Sequence, residues 1–132
     1  MSTIKADTLS NLLGTLSVPV ATAVQGSAKA WVYFTVPAGT PIIQTAFNIT
    51  SITDNGAGDY TFNFTNSLAD ANFAFAGLGT SGGANYQIAG GGQSGGTVRN
   101  TTSLRTQFGY VINTSGALSN QDPASASIVV FR

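Results

Sequence analysis

The chain has 132 residues, the usual size of one domain, and contains no histidine, cysteine or glutamate. Its five aspartates and five Lys/Arg residues balance to zero net charge, and charged residues are only 8% of the total, against roughly 25% in an average soluble domain. This inventory excludes disulfides, thiolate metal ligands and imidazole bases, and leaves no basic patch to neutralise nucleic-acid phosphates.

Residues 1–28 are small and aliphatic, without an aromatic. They lack the basic start and long apolar run of a signal peptide, and no stretch of the chain reaches roughly 18 apolar residues, so neither that export route nor membrane insertion is expected. Asp7 is placed to cap one helical turn carrying Leu9, Leu12 and Leu13, with Gly14 as its stop. Such a turn is too short to stand alone in water. Ile4, Leu9, Leu12, Leu13, Leu16 and Val18 therefore need a surface to dock on. Two readings stay open: an N-terminal strand tucked against the same domain, or an arm (residues 1–28) that docks on a neighbouring subunit or on a different partner protein.

From Lys29 to Arg132 the pattern is β. KAWVYFTV (29–36) is β-branched and aromatic and stops at Pro37. IIQTAFNITSIT (42–53) changes parity between Ile49 and Ile52, which predicts a bulge near Thr50–Ser51. DNGAGD (54–59) is a turn signal, and YTFNFT (60–65) alternates with Tyr60, Phe62 and Phe64 on one side. Residues 42–65 thus read as a β-hairpin. Further strands are predicted at FAFAGLG (73–79), NYQIA (85–89), TVRNTTSLR (97–105), QFGYVIN (107–113) and SASIVVFR (125–132). Residues 77–97 form a Gly-rich loop region around the short NYQIA strand. Turns every 8–12 residues or so suggest an all-β fold, an antiparallel β-sandwich or jelly-roll-like domain with an extended N-terminal arm. The expected core is Trp31 or Val32, with Phe34, Phe47, Ile49, Tyr60, Phe62, Phe64, Phe73, Phe75, Phe108, Tyr110, Ile112, Ile128 and Val130.

Catalytic readings find little material. A Ser–Lys dyad has only Ser27 beside Lys29, with nothing to suggest a shielded pocket. Asp54, Asp59 and Asp70 could form a glycan-cleaving carboxylate pair, but aspartates also favour turns by bonding local backbone. DNGAGD offers too few ligands for a calcium loop, and GGGQSGG lacks the Lys-Ser/Thr of a phosphate loop. No enzyme activity, cofactor or metal is expected. Asn85, Tyr86 and Gln87 are the residues suited to glycan contact, through an aromatic face and two amides; a plain solvated linker is the simpler reading.

The middle of the chain resembles a recurring module of phage and prophage tail-fibre-like proteins. The similarity rests on Lys29–Phe34 (KAWVYF), Phe47–Asn48, Ser51–Asp59 (SITDNGAGD), Tyr60–Phe64 (YTFNF) and Asp70–Phe73. The opening MSTIKADTL is similar to the starts of short virion proteins of marine and cyanobacterial phages. Val36–Pro41 and the Gly-rich segment 77–96 depart from the module. The resemblance implies a virion structural protein, made in the host cytoplasm and homotrimeric, whose other partners are virion proteins and, through the loop, a host-surface glycan. It implies a short tail or fibre-type appendage. The alternative is a capsid decoration (cement) protein clamped to the head lattice by its arm, since residues 1–28 are too few for a shaft.

Overall fold

The computed structural model describes residues 6–80, 86–89, 96–111 and 118–132. Among them are twelve strands and one α-helix, in the order β1 (Thr8–Ser10), β2 (Ser17–Pro19), α1 (Val20–Gly26), β3 (Ala28–Thr35), β4 (Ile42–Phe47), β5 (Ile49–Gly56), β6 (Asp59–Phe64), β7 (Ala74–Thr80), β8 (Tyr86–Ala89), β9 (Val98–Asn100), β10 (Ser103–Val111), β11 (Leu118–Asn120) and β12 (Ser125–Phe131). Antiparallel sheets pack face to face as an all-β sandwich, without closing into a barrel. One layer runs β4-β3-β12-β7-β8, the other β5-β6-β10-β9. Strand β10 belongs to both: residues 103–107 pair with β6, and Phe108–Gly109 pair with β8. The C-terminal strand β12 lies between β3 and β7, at the centre of its layer.

The alternation in the sequence explains which side chains meet. Ala30, Val32 and Phe34 of β3 and Ala126, Ile128 and Val130 of β12 point inward from one layer. Tyr60, Phe62 and Phe64 of β6, with Leu104 and Phe108 of β10, point inward from the other. Phe34 is the hub: its ring stands edge-on to Tyr60, Phe62 and Phe108, with centroids 5.6, 5.5 and 5.9 Å away. Each such fully buried ring contributes about 1.5–3 kcal/mol by leaving water, and edge-to-face geometry adds to that.

The hairpin expected over 42–65 is shorter, β5–β6 (49–64), because the chain turns a corner at Asn48. Asn48 has φ 55°. Its Nδ2 donates to the carbonyls of Lys29 (3.0 Å) and Asn66 (3.1 Å), and its Oδ1 accepts from the Asn66 N–H (2.8 Å). Asparagine tolerates this left-handed conformation better than most side chains. The corner sends β4 to pair with β3 and β5 to pair with β6, so 42–47 and 49–56 sit in different layers. The predicted bulge is present as a register shift between Ile49 and Ser51.

Corrections to the expected core follow from the same geometry. Phe47 pairs with Trp31, and both lie on the outer side of their layer, Phe47 being 53% exposed. Val32, not Trp31, is the core residue. Phe75 and Tyr110 are half-buried, whereas Leu104 and Ala30 are buried without having been expected. Ile112 lies outside the described residues. The two strands expected over 97–105 and 107–113 resolve differently: a tight turn at 101–102 separates β9 from a single long β10.

A second corner locks the layers together. Gly58, in the β5–β6 turn, has φ 67° and donates its N–H to Asp122 Oδ1 (2.7 Å). The same oxygen accepts the Tyr60 hydroxyl proton at 2.7 Å. The Gly58 carbonyl accepts from the Phe108 N–H (2.7 Å), and the Phe108 carbonyl from the Gln121 N–H (3.2 Å). Three segments distant in sequence thus converge on one residue lacking a side chain.

Candidate functional site

The N-terminal segment differs from the helical turn expected there. Asp7 caps no helix; instead β1 and β2 form a two-stranded antiparallel sheet that pairs with no other strand among the described residues. A tight loop fixes this hairpin: the Leu16 N–H donates to Asn11 Oδ1 and the Asn11 N–H to the Leu16 carbonyl (3.0 Å each), and Gly14 takes φ 67°. Serine and asparagine favour such turns over helix interiors because their side chains satisfy nearby backbone groups. The Val20 N–H then donates to the Asp7 carbonyl (2.9 Å), leading the chain into α1.

The hairpin shows its apolar side chains to solvent. Leu12 is fully exposed, Leu13 81% and Leu16 73%; Leu9 is about half exposed and Val18 half-buried. These five expected docking residues are therefore brought together on one small element, while Ile4 lies outside the described residues. A hairpin with three residues per strand and a seven-residue helix are both marginal in isolation.

Ser27 and Lys29, weighed above as a dyad, meet at the end of α1. The Lys29 ammonium donates to Ser27 Oγ (2.7 Å) and to the Val24 carbonyl, and Ser27 Oγ donates to the same carbonyl (2.8 Å). Both groups are in open solvent and satisfy the last carbonyls of the helix, as cations near a helix C-terminus do.

The aspartates weighed as catalytic pairs have structural partners. Asp59 is buried and receives a two-pronged contact from Arg105 (Nε to Oδ1 2.9 Å; Nη2 to Oδ2 2.8 Å), with Gln107 Nε2 at 3.1 Å. The Arg105 hydrogen bond holds its carboxyl below the ordinary value, with burial opposing. Asp70 pairs with Arg132 and accepts the Asn72 N–H, and Asp54 accepts the Gly56 N–H at 2.9 Å. Asp122 serves the Gly58 corner described above. Among the described residues no group of three His, Cys, Asp or Glu side chains is placed to hold a metal, and no helix is long and apolar enough to cross a membrane.

Of the three residues expected to suit glycan contact, Asn85 lies outside the described residues. Tyr86 and Gln87 lie in β8, where their backbones pair with Thr80 and Gly79. Their side chains are outside the description.

A feature the sequence reading missed lies on the outer side of the β4-β3-β12-β7 layer. Register places Phe47, Trp31, Val129 and Ala76 in one row across the four strands, and Thr45, Tyr33, Ser127 and Leu78 in the next. Leu78 is 67% exposed, Tyr33 41% and Trp31 37%. The signal was present in KAWVYFTV, where both parities are apolar, a pattern ordinary for a strand covered on two sides. The four strands hold one charged residue, Lys29, which is engaged at the end of α1.

Comparison with known proteins returns no match to a family model, a curated protein or a solved structure.

Proposed function

We propose that the chain is a structural protein of a bacteriophage particle, a short tail or fibre-type appendage that is held in the assembly by its N-terminal hairpin and displays the sandwich for host-surface contact. The observation that carries this reading is the hairpin itself: a marginal two-stranded element whose leucines face water needs another surface to be worth its exposure. The resemblance of residues 26–75 to tail-fibre-like modules supports the same reading, as does a composition of 8% charged residues, which suits a surface largely covered by neighbours.

The test is a phage carrying a version of this gene without residues 1–25. Particles purified on a gradient are expected to lack the truncated protein, while the same truncated chain, expressed alone, keeps the circular dichroism of a folded β domain. Normal incorporation of the truncated chain refutes docking through the hairpin. Quantitative gels of intact particles then separate placements: a few dozen copies or fewer fit an appendage, whereas hundreds mean capsid decoration.

A further inference from the structure

We infer that the apolar outer face of the β4-β3-β12-β7 layer is the seat for the N-terminal hairpin of a second copy of this chain. The inference deepens the proposed function, resting on its reading of the hairpin as a docking element and naming the partner.

The hairpin and the face are complementary in chemistry. Residues 8–28 contain no charged side chain, and neither do the two outward rows named above; Lys29, at the edge of the face, is tied to the end of α1. Seating a charged partner on either would strip ions of water without a counter-charge to receive them. A leucine-bearing hairpin meets no such penalty on Trp31, Tyr33, Phe47 and Leu78. Each ring gains from contact with aliphatic carbon, and the Tyr33 hydroxyl can stay at the rim.

The dimensions also agree. Four strands spaced about 4.8 Å apart make the face about 14 Å across, the scale of a two-stranded hairpin with its side chains. The exposed parts of the outward Trp31, Tyr33, Phe47 and Leu78 side chains, with those of Ile42 and Phe131 on the same strands, amount to about 500 Å², at the upper end of what a monomer normally leaves bare. The four hairpin leucines expose a similar area. One hairpin seated on one face therefore covers at most about 1,000 Å² in total, the lower limit for a specific interface. In a closed ring every copy gives one hairpin and receives one, so a reciprocal pair covers up to about 2,000 Å², the range of stable dimers. The hairpin of the same copy leaves the face open, with Leu78 and Tyr33 in solvent, so the occupant comes from another molecule.

The absence of cysteine allows a direct test on the full-length chain. Two single variants, Leu13→Cys on the hairpin and Leu78→Cys on the face, are purified separately, mixed and oxidised. The expected result is a disulfide-linked pair that forms in the mixture and not in either variant alone. Cross-linking of Leu78→Cys alone means face-to-face packing and overturns the inference; so does cross-linking of Leu13→Cys alone, which means hairpin-to-hairpin packing. Sedimentation of the unmodified chain should show self-association that moves to at least about 100-fold higher concentration in Leu12→Asp/Leu13→Asp. The single tryptophan, Trp31, reports the same event as a blue shift of its emission on association. A chain that stays monomeric, with unshifted Trp31 emission at high concentration, refutes self-docking. If the truncated protein is nevertheless lost from particles, the hairpin reading of the function stands and its partner is a different virion protein.

Discussion

Replacing Gly58 by alanine tests whether the convergence of three segments on one residue holds the sandwich together. The substitution adds one methyl group, but a Cβ built there lies 2.5 Å from the Phe108 carbonyl oxygen and 2.7 and 2.8 Å from the Gln121 nitrogen and oxygen. All three are backbone atoms, so no side-chain rotation relieves the clash. The left-handed φ of 67° adds about 1–2 kcal/mol for any L side chain. Forcing the Phe108 and Gln121 backbones apart adds about 1–3 kcal/mol, and weakens the hydrogen bonds that bind the turn to β10. The sum is about 2–5 kcal/mol, a large part of the 5–15 kcal/mol typical of a folded domain. Urea titration followed by both Trp31 fluorescence and circular dichroism should show the midpoint falling by about 1–3 M with an unchanged slope. Gly96→Ala is the control, since Gly96 has φ 57° and nothing within 4 Å of a built Cβ. If Gly58→Ala costs no more than Gly96→Ala, the packed corner contributes nothing and the reasoning fails.

Three further outcomes rest on other parts of the core. Phe62→Ala, at a fully buried ring beside Phe34, should lower stability by about 3–5 kcal/mol in the same titration, whereas Phe47→Ala on the outer face should lower it far less; equal losses would reverse the assignment of faces. Asn48→Gly keeps the left-handed backbone but loses the side-chain bonds to Lys29 and Asn66, and Asn48→Ala loses both, so alanine should be the worse by about 1 kcal/mol, read as the difference in urea midpoints. Burial, followed by the hydrogen bond to Asp122, raises the Tyr60 hydroxyl well above its ordinary value of 10.0. Folded Tyr60 therefore stays protonated where the unfolded chain ionises, and its contribution is full below pH 10.0 and lost as the pH climbs beyond it. Tyr60→Phe should be less stable than the parent at neutral pH, with the gap unchanged up to about pH 9 and narrowing as the pH rises past about 10; a constant gap there would place Tyr60 outside this linkage.

The local parts of this fold were legible because period-two patterning is a local property. YTFNFT places three aromatics on one side, and β6 buries all three. The parity break between Ile49 and Ile52 predicted the register shift found there. The corner at Asn48 was not legible, since NIT within an apolar run gives no sign of a positive φ that three distant backbone contacts enforce. Nor could alternation show that β12 inserts between β3 and β7, because strand order is decided by contacts far apart in sequence. At the N-terminus the leucine spacing suggested a helical turn, but Asn11 and Gly14 set a tight loop that paired Leu9 with Val18 instead.

The candidate site was half legible for a related reason. Unpaired leucines before the first strong strand announced a surface in need of cover, whatever their secondary structure. The face that could supply the cover stayed hidden, because Trp31 and Val32 stood as alternatives for the core until the register of β3 against β4 and β12 placed Val32 and Phe34 inward. A strand apolar on both sides implies two covers. The sandwich supplies one, through the aromatic cluster around Phe34. The low charge of the chain favours the second proposed here: with few ionic groups to keep copies apart, two exposed apolar surfaces of matching size are expected to find each other wherever the chain is concentrated.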